Sequence, residues 1–179
     1  MIAIDGARFS EPYAGRALPA VIAREVIAPD DAAALRASLL AAPRTRFDLA
    51  PRGRYAIVDA RVAELEAAAL TFSAAVVGRP LELVRARVLV FGRGDYALRR
   101  DDGDDVLGLV EATIDLSEHA TGEADVVYAR GSGEIVFALP ELPGSIAVVA
   151  RAPGVRRYER YLTHRVGSRE VVRVRLVMR

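Results

Sequence analysis

The feature that most constrains this chain is a change of period at Gly78-Arg79-Pro80. Before it, apolar residues recur at helical spacing. After it, they fall into short alternating runs separated by turn residues. The runs predict strands over Glu82–Phe91, Tyr96–Arg100, Leu107–Leu116, Asp125–Tyr128, Glu134–Leu139, Ser145–Ala150, Arg156–Val166 and Glu170–Met178. Between them stand turn signals such as Thr121-Gly122, Gly131-Ser132-Gly133, Pro143-Gly144, Pro153-Gly154 and Gly167-Ser168. Many short strands at this spacing suit a sandwich or barrel.

The first half predicts two helices. Pro29-Asp30-Asp31 starts one, with Leu35, Leu39 and Leu40 on its face, and Pro43 ends it. Asp59 is placed to cap the other, over Ala60–Val77, where Val62, Leu65, Ala69, Phe72 and Val76 keep a helical period. Ala20–Ile27 and Tyr55–Val58 predict strands, and Met1–Ile4 a short edge strand. Pro12, Gly15, Arg16 and Pro19 mark loop, as does the Arg- and Pro-rich stretch Arg44–Gly53. The expected fold is α+β, mainly β, with helices on one face of a sheet. At 179 residues it is expected to be one domain, with 1–80 as strand–helix support and 81–179 as the β core.

Charge excludes some partners. With 27% charged residues and a net charge of +1, the chain has no electrostatic footprint for nucleic acid or membrane. It contains no cysteine, which rules out disulfides, zinc–thiolate sites and thiol nucleophiles. No signal-peptide pattern opens it and no apolar run is long enough to span a bilayer, so a cytoplasmic protein is expected. Every basic residue other than the two histidines is Arg, and Lys, Asn, Gln and Trp are absent. That skew fits the codon bias of a GC-rich bacterial genome.

The stretch with chemical content is Phe91-Gly92-Arg93-Gly94-Asp95-Tyr96, followed four residues later by Arg100-Asp101-Asp102. It resembles the metal-site motif of the prolyl-hydroxylase-like 2-oxoglutarate/Fe(II) dioxygenases, aromatic-x-x-Gly-Asp-Tyr leading to His-x-Asp. Further matches follow in the family's order: Leu109–Leu116, Gly122-Glu123 and Pro143–Val149. The resemblance covers the chain from about Pro19 onward. It implies a double-stranded β-helix, or jelly roll, with two N-terminal supporting helices. For an active oxygenase it would also imply Fe(II) and 2-oxoglutarate as cofactors.

That chemistry needs two His and one Asp on iron, with open positions for 2-oxoglutarate and oxygen. Carried onto this chain, the first His position falls on Arg100 and the Asp on Asp102. The second His position falls on Arg156, with Arg157 one register away. The basic residue for 2-oxoglutarate falls on Arg169, with Arg173 and Arg175 as alternatives, and Tyr96 joins the co-substrate side. Guanidinium has no lone pair to give a metal. The resemblance therefore implies an oxygenase-like protein without a cofactor, in which Arg100, Arg156 and Arg169 line a pocket for a small anion. In an iron-free reaction, Asp102 would act as base and Arg100 or Arg156 would stabilise an oxyanion.

Two alternatives stay open. One is an active hydroxylase with unusual ligands, drawing on His119 or His164. The other is a pseudoenzyme working through its surface, as a homodimer or as a subunit beside an active relative. Apart from Asp102, the acidic run Asp101–Asp105 reads as a solvated turn rather than a cation loop. Gly92-Arg93-Gly94 lacks the lysine and following helix of a phosphate loop. Arg160, Arg165, Arg173 and Arg175 read as a basic hairpin surface, although strict alternation would send Arg169, Arg173 and Arg175 inward together.

Overall fold

A computed structural model describes residues 2, 4–15, 17–50, 52–98 and 108–179. Its elements are α1 (Ser10–Ala14), β1 (Ala20–Ala23), α2 (Pro29–Ala41), β2 (Arg44–Leu49), β3 (Gly53–Val58), α3 (Ala63–Val77), β4 (Leu83–Phe91), β5 (Tyr96–Ala97), β6 (Val110–Asp115), β7 (Val126–Arg130), β8 (Ile135–Leu139), β9 (Ile146–Ala150), β10 (Val155–Glu159) and β11 (Val171–Met178). All strand pairs are antiparallel. The order is β1-β9-β6-β11-β4-β3-β5-β10-β7-β8, with β2 on the far edge of β3. One edge of β3 serves two neighbours, since Ala56–Val58 pair β4 while Gly53 and Arg54 pair β5. The strand that joins the two halves of the roll thus comes from the N-terminal region.

The sheet has two covered faces. On the outer face Val88 and Val90 of β4, Ala112 and Ile114 of β6, and Val172, Val174 and Leu176 of β11 form one cluster with Leu39 of α2 and Leu65, Ala69, Phe72 and Val76 of α3. The inner face carries two smaller apolar clusters. One is built on Val126, Tyr128, Leu139, Ala147 and Val149, the other on Tyr55, Leu89, Phe91, Leu162 and Val171. Strand β11 is accordingly buried along its whole length, Val171–Met178. Strands covered on both faces lose the polar–apolar alternation of a half-exposed sheet.

Both long helices form where the residues place them. α3 buries Leu65, Ala69, Phe72 and Val76 and ends at Gly78, which takes the left-handed φ of 75° that a helix C-terminus favours. Its start lies later than Asp59, at Ala63. Glu66 accepts from the Val62 amide and is gripped by Arg61, while Asp59 accepts from the Thr45 hydroxyl.

Other expectations are corrected. The Arg44–Gly53 stretch is not loop, because Arg44–Leu49 form β2 against β3. Ile2 and Ile4 are not in a strand. Pro12 lies inside α1, in its first turn, where proline is tolerated. The run expected as one strand over Arg156–Val166 ends at Glu159 and is followed by a 3-10 turn at His164–Val166.

The N-terminal segment docks closely on α3. A Cβ added at Gly6 would lie 2.5 Å from the Phe72 carbonyl oxygen. Gly6→Ala is therefore expected to destabilise the fold by about 1–3 kcal/mol, as overpacking does. Chemical denaturation checks this, and an unchanged midpoint would show that the segment does not hold α3.

Candidate functional site

Alternation along the inner strands sets the site. On β11, Val172, Val174 and Leu176 face the helices, so Arg173 and Arg175 point the other way, into the roll. Both are buried, Arg173 to 1% exposure. Glu111 and Thr113 of the neighbouring strand β6 share that face, with Thr113 directly opposite Arg175. On β10, Arg157 and Glu159 are buried while Arg156 and Tyr158 are only half-buried. Tyr128 of β7 stands opposite Arg157.

These side chains form one ionic network. Arg157 Nε lies 2.6 Å from Glu111 Oε1, and Arg157 Nη2 donates to Glu159 Oε1 at 2.7 Å. Arg173 Nη1 donates to Glu159 Oε2 at 2.5 Å, and its Nη2 donates to the Ala124 carbonyl. Arg175 Nη2 and Arg151 Nη1 reach Glu111 Oε2 at 2.7 and 3.3 Å. The Tyr128 hydroxyl donates to Glu111 Oε1 at 2.8 Å. Four strands, β6, β7, β10 and β11, are tied together through two carboxylates.

Thr113 Oγ1 and Arg173 Nε are buried and have no hydrogen-bond partner among the described residues. Asp115 faces Arg173 in register, but its carboxylate accepts instead from the Ser117 and Leu142 amides, each at 2.9 Å.

Burial and charge oppose each other at Glu111, Glu159 and Arg157. Burial alone would raise the Glu111 pKa, but Arg175, Arg157 and Arg151 outweigh it and pull the value down to about 2. Glu159 behaves likewise: burial disfavours its charge, and Arg173 and Arg157 reverse the balance downward. Burial works against the Arg157 cation, yet Glu159 and Glu111 hold its pKa above the ordinary value. The Tyr128 phenol is raised, first by burial and then by the Glu111 charge. Glu111, Glu159 and Arg157 thus keep their charges, and Tyr128 its proton, at neutral pH.

The expected site residues are only partly assembled here. Arg100 and Asp102 lie outside the described residues, as does the remainder of 99–107. Arg156 sits one register away from the interior, and Arg157 takes the inward place. Arg169 is exposed, because β11 begins only at Val171 and the turn through Gly167 interrupts the alternation before it. Of the three arginines considered there, Arg173 and Arg175 are the inward ones. They are therefore not a solvated basic surface, whereas Arg160 and Arg165 are exposed. Tyr96 is half-buried on β5, its ring 6.2 Å from that of Tyr161. His119 and His164 are both exposed.

Glu111, Glu159 and Tyr128 were not expected at all. The signal for them is in the text: Glu111 interrupts the apolar run LVEATIDL, and Arg157-x-Glu159 places opposite charges on one strand face.

The described interior does not make a metal-ligand set. No group of three His, Asp or Glu able to hold a metal occurs among the described residues. The nitrogen atoms lining it are guanidinium groups, which give metals no lone pair.

No family model and no curated protein sequence matches the chain. Solved structures do. A Pseudomonas putida prolyl-4-hydroxylase matches with a TM-score of 0.71 and 14% identity, over 97% of this chain and 98% of that one. A Trichoplax adhaerens prolyl hydroxylase, solved with a peptide of hypoxia inducible factor, matches with a TM-score of 0.72 and 10% identity, over 97% and 90%. The epimerase SnoN of nogalamycin biosynthesis matches with a TM-score of 0.69 and 13% identity, over 97% and 82%. At such identities the likeness is one of fold, and this chain has the jelly-roll fold of the prolyl-hydroxylase-like 2-oxoglutarate/Fe(II) oxygenases.

Proposed function

We propose that this chain is an oxygenase-like protein whose interior recognises a small carboxylate or phosphate through arginine, without iron. The observation that carries the reading is the pair Arg157 and Arg173. Both are buried, and both share the Glu159 carboxylate. Arg173 spends a second donor on a neutral carbonyl and has a third, Nε, with no partner among the described residues. Thr113 adds a hydroxyl to the same wall. A guanidinium fork with spare donors in a site of low dielectric is suited to a planar carboxylate or a phosphate. The described residues do not fit an iron site.

A second reading has its own support. All four oxygens of Glu111 and Glu159 are engaged, so the network also serves as an internal brace. In that case the protein is a pseudoenzyme and its work lies on the surface.

Thermal shift separates the two readings. A succinate or phosphate concentration near 100 times Kd stabilises by about 2.7 kcal/mol, or roughly 5–10 °C for a chain of this size. Arg173→Met should abolish the shift caused by interior binding and leave the fold intact, since Glu159 keeps Arg157. No shift with either anion in the wild-type chain would favour the brace.

A further inference from the structure

A second arginine-lined feature lies outside the roll, on the helix side of the sheet. It is a cleft of about 320 Å³ with Ala56 and Val90 as its floor. That is the small end of the range for ligand pockets. Its walls are Arg44 and Arg46 of β2, the turn Gly92–Asp95, and Glu170. Ala56 and Val90 are direct partners on β3 and β4 and belong to the outer core cluster. The cleft is therefore separated from Arg157 and Arg173 by the sheet itself.

Its arginines are held in different ways. Arg46 forks onto Asp95, with Nη1 at 2.8 Å from Oδ2 and Nη2 on Oδ1. Asp95 is 2% exposed and also accepts from the Gly92 amide at 2.8 Å, so the anchor is fixed. Its charge strengthens the Arg46 cation through that fork. Arg44 pairs with Glu170 at 2.7 Å, with both side chains about one-third exposed. Arg93 is exposed and has no hydrogen bond or ion pair with any described residue. Among the described residues, three guanidinium groups thus meet two carboxylates around an apolar floor, and one cation is left over.

We propose that this cleft is a second anion site, taking an oxyanion group of a small molecule, carboxylate or phosphate. Arg93 supplies the unspent charge, and Arg46, oriented by buried Asp95, supplies a pre-set edge. Arg44 can turn from Glu170 to the ligand, because a half-exposed ion pair costs little to open. The proposal stands independently of the interior reading.

Titration of the full chain with inorganic phosphate, and separately with succinate, tests it by following arginine side-chain NMR signals. The expected result is saturable perturbation of Arg44, Arg46 and Arg93 signals. The joint substitution Arg44→Ala/Arg93→Ala should weaken binding about tenfold or more, since it removes two of the cleft's three charged donors. Arg173→Met should leave these signals and this affinity unchanged. Phosphate binding with succinate silent assigns the cleft to phosphates, and the reverse assigns it to carboxylates. Perturbation that does not saturate, affinity undiminished in the double variant, or loss of binding in Arg173→Met alone would each overturn the proposal. Both altered arginines are at the surface, and near-ultraviolet circular dichroism checks that the variant is folded.

Discussion

Glu159→Ala is expected to lower stability by about 3–5 kcal/mol, because it leaves buried cations without their counter-ion. Glu159 bridges Arg157 and Arg173, both of them buried. Arg157 retains Glu111, but among the described residues Arg173 keeps only a backbone carbonyl. For a chain of this length the loss corresponds to a fall in Tm of roughly 6–20 °C. The double variant Glu159→Ala/Arg173→Met should recover much of the deficit, since it removes the stranded charge and replaces it with an apolar side chain. The two changes would then be non-additive by about 0.5–3 kcal/mol. Urea denaturation of the four proteins measures this. Additive effects, or a single-variant loss below about 1 kcal/mol, would show that water reaches the network and that its charges are screened.

Acid should dismantle the same network, through Glu111 most visibly. Its carboxyl is depressed from 4.5 to about 2 in the folded chain. The unfolded chain therefore binds a proton first as pH falls. The stabilisation is complete above the unfolded value near 4.5, declines below it, and is gone once pH passes the folded value near 2. A difference of that size corresponds to roughly 3 kcal/mol. Glu159 shifts in the same direction, so its contribution is likewise present above the unfolded value and lost as pH falls below it. Glu111→Gln should therefore be less stable than wild type at neutral pH, with the gap closing between about pH 5 and pH 2. A gap that stays constant through that range would mean that the Glu111 charge carries no folding free energy.

Much of the fold is legible in the sequence because local chemistry and tertiary packing agree there. Gly78-Arg79-Pro80 ends α3, and of the residues predicted for its apolar face Leu65, Ala69, Phe72 and Val76 are buried, while Val62 precedes the helix. β2 is illegible for a physical reason. As an edge strand with five of six residues exposed, it needs no apolar alternation, so Arg44, Thr45 and Arg46 read as loop. The site fails at its register. Arg156 and Arg157 are chemically identical, and a slip of one residue on β10 decides which of them faces inward. Pairing of Arg157 with Tyr128 on β7 fixes the choice, and that contact is not local in sequence. Arg173 and Arg175 look like solvent-facing charges until Glu111 and Glu159 are brought beside them from other strands.

Isothermal titration of the metal-free chain with Mn(II), as a surrogate for Fe(II), with and without 2-oxoglutarate, tests the central claim most directly. The expected result is no heat from the metal and saturable heat from 2-oxoglutarate alone, of which the interior part is lost in Arg173→Met and the part from the Arg44–Arg46–Arg93 cleft is kept. Stoichiometric, micromolar metal binding, strengthened by 2-oxoglutarate, would contradict it and restore the iron-dependent oxygenase.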